Sequence, residues 1–182
     1  MPNYRRFQRP GGTFFFTVNL ADRTSSLLVD RIQDFRDAYA TVARHHPFLT
    51  EAIVVMPDHL HAVWTLPDGD TDFSVRWKKI KAGFSKVVIR DANGGLAPTL
   101  RVSASMRAKG EVGVWQRRFW EHAIRDEADL ASHIEYCWHN PVKHGFVTDP
   151  MEWPFSSIHR DMPVVGRASR RVGANPPRGG SA

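Results

Sequence analysis

The sequence predicts an α+β domain, an antiparallel sheet covered by helices. Three observations predict it. Two strand-like runs, Leu49 to Val55 and Leu60 to Leu66, flank the short turn Pro57-Asp58. The stretch from Asp30 to about His45 instead repeats its apolar residues at helical spacing, at Ile32, Phe35, Ala38, Tyr39 and Val42. The order along the chain reads strand, helix, strand, strand, helix, strand, helix, and such a mixture of strands and helices packs as layers around one core.

Each element has its own signal. Gly11-Gly12 precedes Thr13-Phe14-Phe15-Phe16-Thr17-Val18-Asn19-Leu20, rich in β-branched and aromatic residues, which is the first strand. Pro47 stops the first helix, and Pro67-Asp68-Gly69-Asp70 is a turn. Phe73 to about Arg90 is a second, basic helix, followed by a loop-like, polar region from Gly94-Gly95 to Gly110. Val112 to Phe119 reads as a short strand. Asp126 opens the last helix, with Asp126, Glu127 and Asp129 where the helix dipole favours anions. Pro141 is expected to stop it after about His139.

The chain has 182 residues, 42% of them hydrophobic, enough for one globular domain with its own core. We place that domain at 1–161 and a basic tail, expected to be disordered, at 162–182. No run approaches the ~20 apolar residues of a membrane span. The arginines at positions 5, 6 and 9 lead into no signal-peptide pattern. The single cysteine, Cys137, excludes an internal disulfide and fits a reducing compartment, so the expected location is the cytoplasm, in association with the nucleoid.

The net charge is +6, and its distribution is uneven. Residues 76–118 hold eleven Lys/Arg against Asp91 and Glu111, and the tail holds four arginines and no acid. Such segregation is what a nucleic-acid partner requires, although solvated helix faces produce it too. Trp115-Gln116-Arg117-Arg118-Phe119-Trp120 interleaves aromatics with arginines, so that bases could stack while guanidiniums hold phosphates; one of Trp115 and Trp120 is expected to be buried. The candidate DNA contacts are Arg5, Arg6, Arg76, Lys78, Lys79, Lys81, Trp115, Arg117, Arg118 and Lys143.

The chemistry centres on His59 and His61. A strand points residues i and i+2 to one face, so both imidazoles converge while Leu60 turns into the core. On spacing alone such a pair is more often two polar strand residues than a metal site. Downstream, Tyr136 and Asn140 sit four apart on a helix and share a face. Asn140 is either a cap or the oxygen that completes a two-histidine site, a donor set that shifts preference toward Mn²⁺ or Mg²⁺. A phenol is mostly protonated at neutral pH and needs a polarised phosphate or a base to attack. Of the other tyrosines, Tyr39 lies on the apolar face of its helix and Tyr4 in the N-terminal arm. A metal beside Tyr136 suggests covalent attack on a phosphodiester.

These blocks together resemble the REP-associated tyrosine transposases, relatives of the single-tyrosine HUH transposases. The resemblance runs through Tyr4-Arg5-Arg6, the Gly12–Leu20 run, Met56-Pro57-Asp58-His59-Leu60-His61, Trp64-Thr65-Leu66-Pro67, and Asp72-Phe73-Ser74-Val75-Arg76-Trp77. It continues through Trp115-Gln116-Arg117-Arg118-Phe119-Trp120-Glu121-His122, Tyr136-Cys137-Trp138-His139-Asn140-Pro141-Val142-Lys143-His144-Gly145, and Trp153-Pro154-Phe155-Ser156-Ser157. It implies a ferredoxin-like (RRM-like) sheet, metal ligands at His59 and His61 with Asn140 as third, a divalent Mg²⁺ or Mn²⁺, and Tyr136 as nucleophile. It also implies DNA transposition: cleavage of single-stranded DNA beside a repetitive extragenic palindrome (REP) hairpin through a 5′-phosphotyrosine, leaving a 3′-OH that later rejoins strands. A monomer or homodimer is expected. The loop Val102-Ser103-Ala104-Ser105-Met106 is less basic than the resemblance leads one to expect. Two other readings stand beside it: a domesticated hairpin-binding protein without turnover, and an unrelated metallohydrolase whose nucleophile is water.

Overall fold

The structure is a computed structural model and describes residues 9–93 and 113–162. The polar region 94–112, the arginines at positions 5 and 6, Tyr4 and the tail from 163 lie outside the described residues.

Four strands form one antiparallel sheet: β1 Thr13–Asn19, β2 Leu49–Val55, β3 His59–Thr65 and β4 Trp120–Ala123. Their order across the sheet is β2-β3-β1-β4. A short helix, α1 Leu27–Asp30, and a longer one, α2 Ile32–His45, connect β1 to β2, and α3 Phe73–Asn93 connects β3 to β4. This is the expected α+β, ferredoxin-like arrangement. A further helix, α4 Glu127–Lys143, follows β4.

Helices cover both faces, so the central strands are apolar nearly throughout; β3 is buried from His59 to Trp64. The period of two then decides which residue meets which helix. Phe14, Phe16 and Val18 of β1, with Leu60, Ala62 and Trp64 of β3, pack against Phe35 of α2 and Trp77, Ile80 and Phe84 of α3. Trp64 and Trp77 stack at 4.1 Å and are fully buried. The alternate residues Phe15, Val54 and Val63 meet Cys137 of α4 on the other face. Burial of one such large side chain contributes about 1.5–3 kcal/mol.

Three element boundaries differ from expectation. The first helix is broken at Arg31, whose guanidinium pairs with both Asp34 and Asp91 at 2.5 Å. The fourth strand is not 112–119. Trp115 makes only an isolated bridge to Leu20, and the strand proper, Trp120–Ala123, pairs with Phe14–Thr17 of β1. A four-residue edge strand reading Trp-Glu-His-Ala has too little apolar alternation to stand out.

The third difference shapes the site. α4 runs through Pro141 to Lys143. Proline removes one helix hydrogen bond, but Pro141 is buried, and the end is closed tightly. His144 N–H donates to Asn140 O, Gly145 N–H to Val142 O and Phe146 N–H to Pro141 O, at 2.9–3.0 Å. Gly145 takes the left-handed φ of +73° that this closure requires. Beyond it the chain returns along β2, where Val55 N–H donates to Phe155 O and Ser157 N–H to Ile53 O, capping that sheet edge. Asp126 caps the other end of α4 by accepting from Asp129 N–H, as the sequence implies.

Candidate active site

His59 and His61 lie opposite Asn19 and Thr17 of β1, on the sheet face that α4 covers. Both are 4% exposed, and their rings are 5.0 Å apart. Each is oriented by a neighbour. His59 Nδ1–H donates to Asp58 Oδ1 at 2.7 Å, and Arg23 pairs with the same carboxylate at 2.8 Å. His61 Nδ1 bonds the Thr17 hydroxyl at 2.9 Å. With Nδ1 engaged, Nε2 is the nitrogen left for coordination.

Burial pulls the His61 pKa down to about 3, and the charges of His59, His144 and Lys143 add to the effect. Burial also lowers His59, against the opposing pull of Asp58. Both imidazoles are therefore neutral at pH 7, the state in which they bind metals.

α4 brings Tyr136 and Asn140 over this pair. The Tyr136 ring is 5.1 Å from the His61 ring and 38% exposed, and Lys143 Nζ sits 5.1 Å from its centroid. Asn140 is 1% exposed, and among the described residues neither its Oδ1 nor its Nδ2 has a hydrogen-bond partner. An orphaned buried amide costs about 1–3 kcal/mol per group and calls for a ligand to explain it. Two neutral imidazoles and an uncommitted amide oxygen fit a divalent cation.

Tyr39, by contrast, packs against Phe35, Phe48 and Trp64 and bonds the Thr50 hydroxyl, which makes it a core residue.

Sequence reasoning missed several residues around this centre. Thr17 and Asp58 fix the imidazoles, and His144 meets the His59 ring edge-on at 5.3 Å. A His-Asp-His group also lies nearby, with His133 one helical turn before Tyr136: His122, Asp129 and His133 bring ligand atoms within 4.8 Å of one another. This group could hold a metal, but the Asp129 carboxylate is already engaged. It accepts from His122 Nε2 at 2.9 Å, Arg125 N–H at 2.9 Å and Arg125 Nε at 3.1 Å. We read it as an ion-pair network that fastens α4 to β4. The position of Asp129, i+3 from the capping Asp126 and i−4 from His133, was the available signal.

Two expected DNA contacts are corrected. Arg76 is 4% exposed; its guanidinium grips Asp70 at 2.6 Å and donates to the carbonyls of His46, Pro47 and Asp72. It ties the fold together and has no donor to spare for a phosphate. Trp115 is 7% exposed, with its indole N–H on Lys81 O, so it is a core residue; Trp120 is the exposed member of the pair. Lys78 and Lys79 are exposed on α3, on the face of the sheet opposite Tyr136, and Lys81 donates to Gln116 O at 2.6 Å. Arg117, Arg118 and Lys143 are exposed.

No family model matches the chain. Two curated proteins do. The chain is 43% identical over 162 residues to a REP-associated tyrosine transposase of Haemophilus influenzae, covering 89% of this chain and 88% of the relative. It is 45% identical over 162 residues to the REP-associated tyrosine transposase of Escherichia coli K12, covering 89% and 86%. The chain belongs to the REP-associated tyrosine transposases. A solved structure of a REP-associated tyrosine transposase bound to a REP hairpin is 45% identical and superposes with a TM-score of 0.72, covering 88% of this chain and 85% of that one. Among the described residues of this family member, no helix is long and apolar enough to cross a membrane.

Proposed function

We propose that this protein is a divalent-metal-dependent, single-stranded DNA endonuclease and strand transferase that cuts beside a REP-type hairpin with Tyr136 as nucleophile. One observation carries the reading: the partly exposed Tyr136 lies against His61, one helical turn from the orphaned Asn140 amide. His59, His61 and Asn140 would hold the cation, which when bound would draw negative charge from the phosphate oxygens.

Tyr136 Oη attacks the phosphorus as its phenolic proton is lost. A tyrosyl–phosphorus bond forms, the bond from phosphorus to O3′ breaks, and the leaving O3′ takes up a proton. The 5′-phosphotyrosine keeps the ester bond, so a free 3′-OH reverses the exchange without an energy source. Lys143 Nζ, 5.1 Å from the centre of the Tyr136 ring, sits where it can pair with the phosphate. Exposed Arg117 and Arg118 hold flanking phosphates, and the work falls in the cytoplasm, at the nucleoid.

The test is incubation with single-stranded hairpin oligonucleotides and Mn²⁺. A covalent adduct that maps to Tyr136 is the expected result. Tight hairpin binding with no adduct would assign a domesticated binding protein instead, and cleavage without an adduct a water nucleophile.

A further inference from the structure

Beside Tyr136, between β4 and α4, lies a cavity of about 490 Å³ lined by Phe15, Thr17, Trp120, Ser132, His133 and Tyr136. We propose that it is a nucleobase pocket, in which the base of a nucleotide next to the phosphate attacked by Tyr136 stacks on Trp120. The inference rests on the reading of Tyr136 above and adds the residue that positions the strand.

Four observations carry it. First, the walls are planar rings. Phe15 forms the floor, 3% exposed, with Trp120 at 5.8 Å, His133 at 4.8 Å and Tyr136 at 5.7 Å from its centroid. Second, Trp120 is 54% exposed, a large aromatic face left in solvent directly beside the candidate nucleophile. Third, the rings are held in place. His122 lies parallel to Trp120 within 5° and stacks on His133 at 4.8 Å, while Asp129 bonds both histidines. A pre-set stack loses little entropy when a base joins it. Fourth, exposed Arg117, Arg118 and Arg125 flank the strand that carries Trp120, and Lys143 Nζ lies 5.1 Å from the centre of the Tyr136 ring. Cations beside an aromatic platform suit a single nucleic-acid strand: the rings take the base and the guanidiniums the phosphates. The volume is that of a small-molecule pocket, enough for one nucleotide unit.

The experiment uses the full chain carrying Tyr136→Phe, which keeps the ring but blocks turnover. Hairpin oligonucleotides carry 2-aminopurine at each unpaired position in turn, on both sides of the stem. One position is expected to lose at least about half its fluorescence on binding. Trp120→Ala should restore that fluorescence and weaken binding about tenfold, while Trp120→Phe retains most of both. With an abasic nucleotide at that position, the proteins with and without Trp120→Ala should bind equally. Because Trp120 is half exposed, the thermal midpoint should not move. If Trp120→Ala did unfold the chain, the abasic oligonucleotide alone would decide, since a tenfold loss confined to one position is still expected. No position-specific signal, or a loss from Trp120→Ala that persists on abasic DNA, overturns the pocket. A wild-type protein that stacks the base but forms no adduct overturns the cleavage reading alone.

Discussion

The edge of the Tyr136 ring meets the His61 ring at 5.1 Å and 74°, joining a helix residue to a strand residue that is itself held by Thr17. The contact exists because β3 aims His61 at the face α4 covers; by continuing past its proline, α4 also keeps Lys143 in the same helix as Tyr136 and Asn140. If this pairing serves catalysis, Tyr136→Phe should leave folding unchanged, since the ring and its contacts with Phe15 and His61 survive. Hairpin affinity should stay within about twofold while the covalent adduct vanishes. Adduct formation in the variant, located by peptide mapping, would reject Tyr136.

Asn140 separates function from stability. Its amide is buried without a partner among the described residues, so the metal-free fold bears an unsatisfied polar group. Asn140→Leu should therefore leave the metal-free protein as stable or raise its stability by about 1 kcal/mol, while cleavage falls at least about a hundredfold. Denaturant unfolding in EDTA, beside cleavage assays in Mn²⁺, measures both. A large loss of stability in EDTA would make Asn140 a structural residue whose partner lies elsewhere.

The His pair and the shared face of Tyr136 and Asn140 were legible in the sequence because both follow from local periodicity, of two in β3 and of 3.6 in α4. What local pattern does not encode was not legible. Thr17 reaches His61 only through the β1–β3 register, and Arg76 looked like a surface cation until Asp70 and three carbonyls claimed it. Pro141 signalled a helix end that buried packing and the Gly145 closure override. The aromatic cavity needed the β1–β4 pairing, and β4 itself lay beyond the run expected for it.

The lowered pKa values of His59 and His61 set a pH profile for metal binding. A pair of ordinary imidazoles, with pKa near 6.5, would lose about tenfold in affinity between pH 7.5 and pH 6 as protons compete. Here burial holds His61 at about 3 and lowers His59, so Mn²⁺ or Co²⁺ affinity should change less than about threefold over that range. The same shift acts on the fold: below about pH 6.5 the unfolded chain takes up protons that the folded histidines refuse, so stability declines as pH falls. Calorimetric metal titration at both pH values is the measurement. A tenfold loss by pH 6 would mean the imidazoles titrate freely.

The arginines divide by burial into two kinds with opposite expected phenotypes. Arg117 and Arg118 are exposed, so replacing both by alanine should cost little stability, within about 0.5 kcal/mol each. Each phosphate contact on a single strand contributes about 0.7 to the slope of log affinity against log salt, so the double variant should flatten that slope by about one to two units. Arg76 behaves in the other way. Its guanidinium is buried on Asp70 and three backbone carbonyls, and Arg76→Ala should destabilise the fold by about 3 kcal/mol because the carboxylate and carbonyls lose their donors. Under conditions where the Arg76 variant remains folded, its salt slope should match the wild type. Thermal unfolding and salt-dependent binding of the two variants test this together. An unchanged slope for the Arg117/Arg118 variant would place the DNA on another face, and a flattened slope for Arg76→Ala would show that the buried guanidinium is released to bind phosphate.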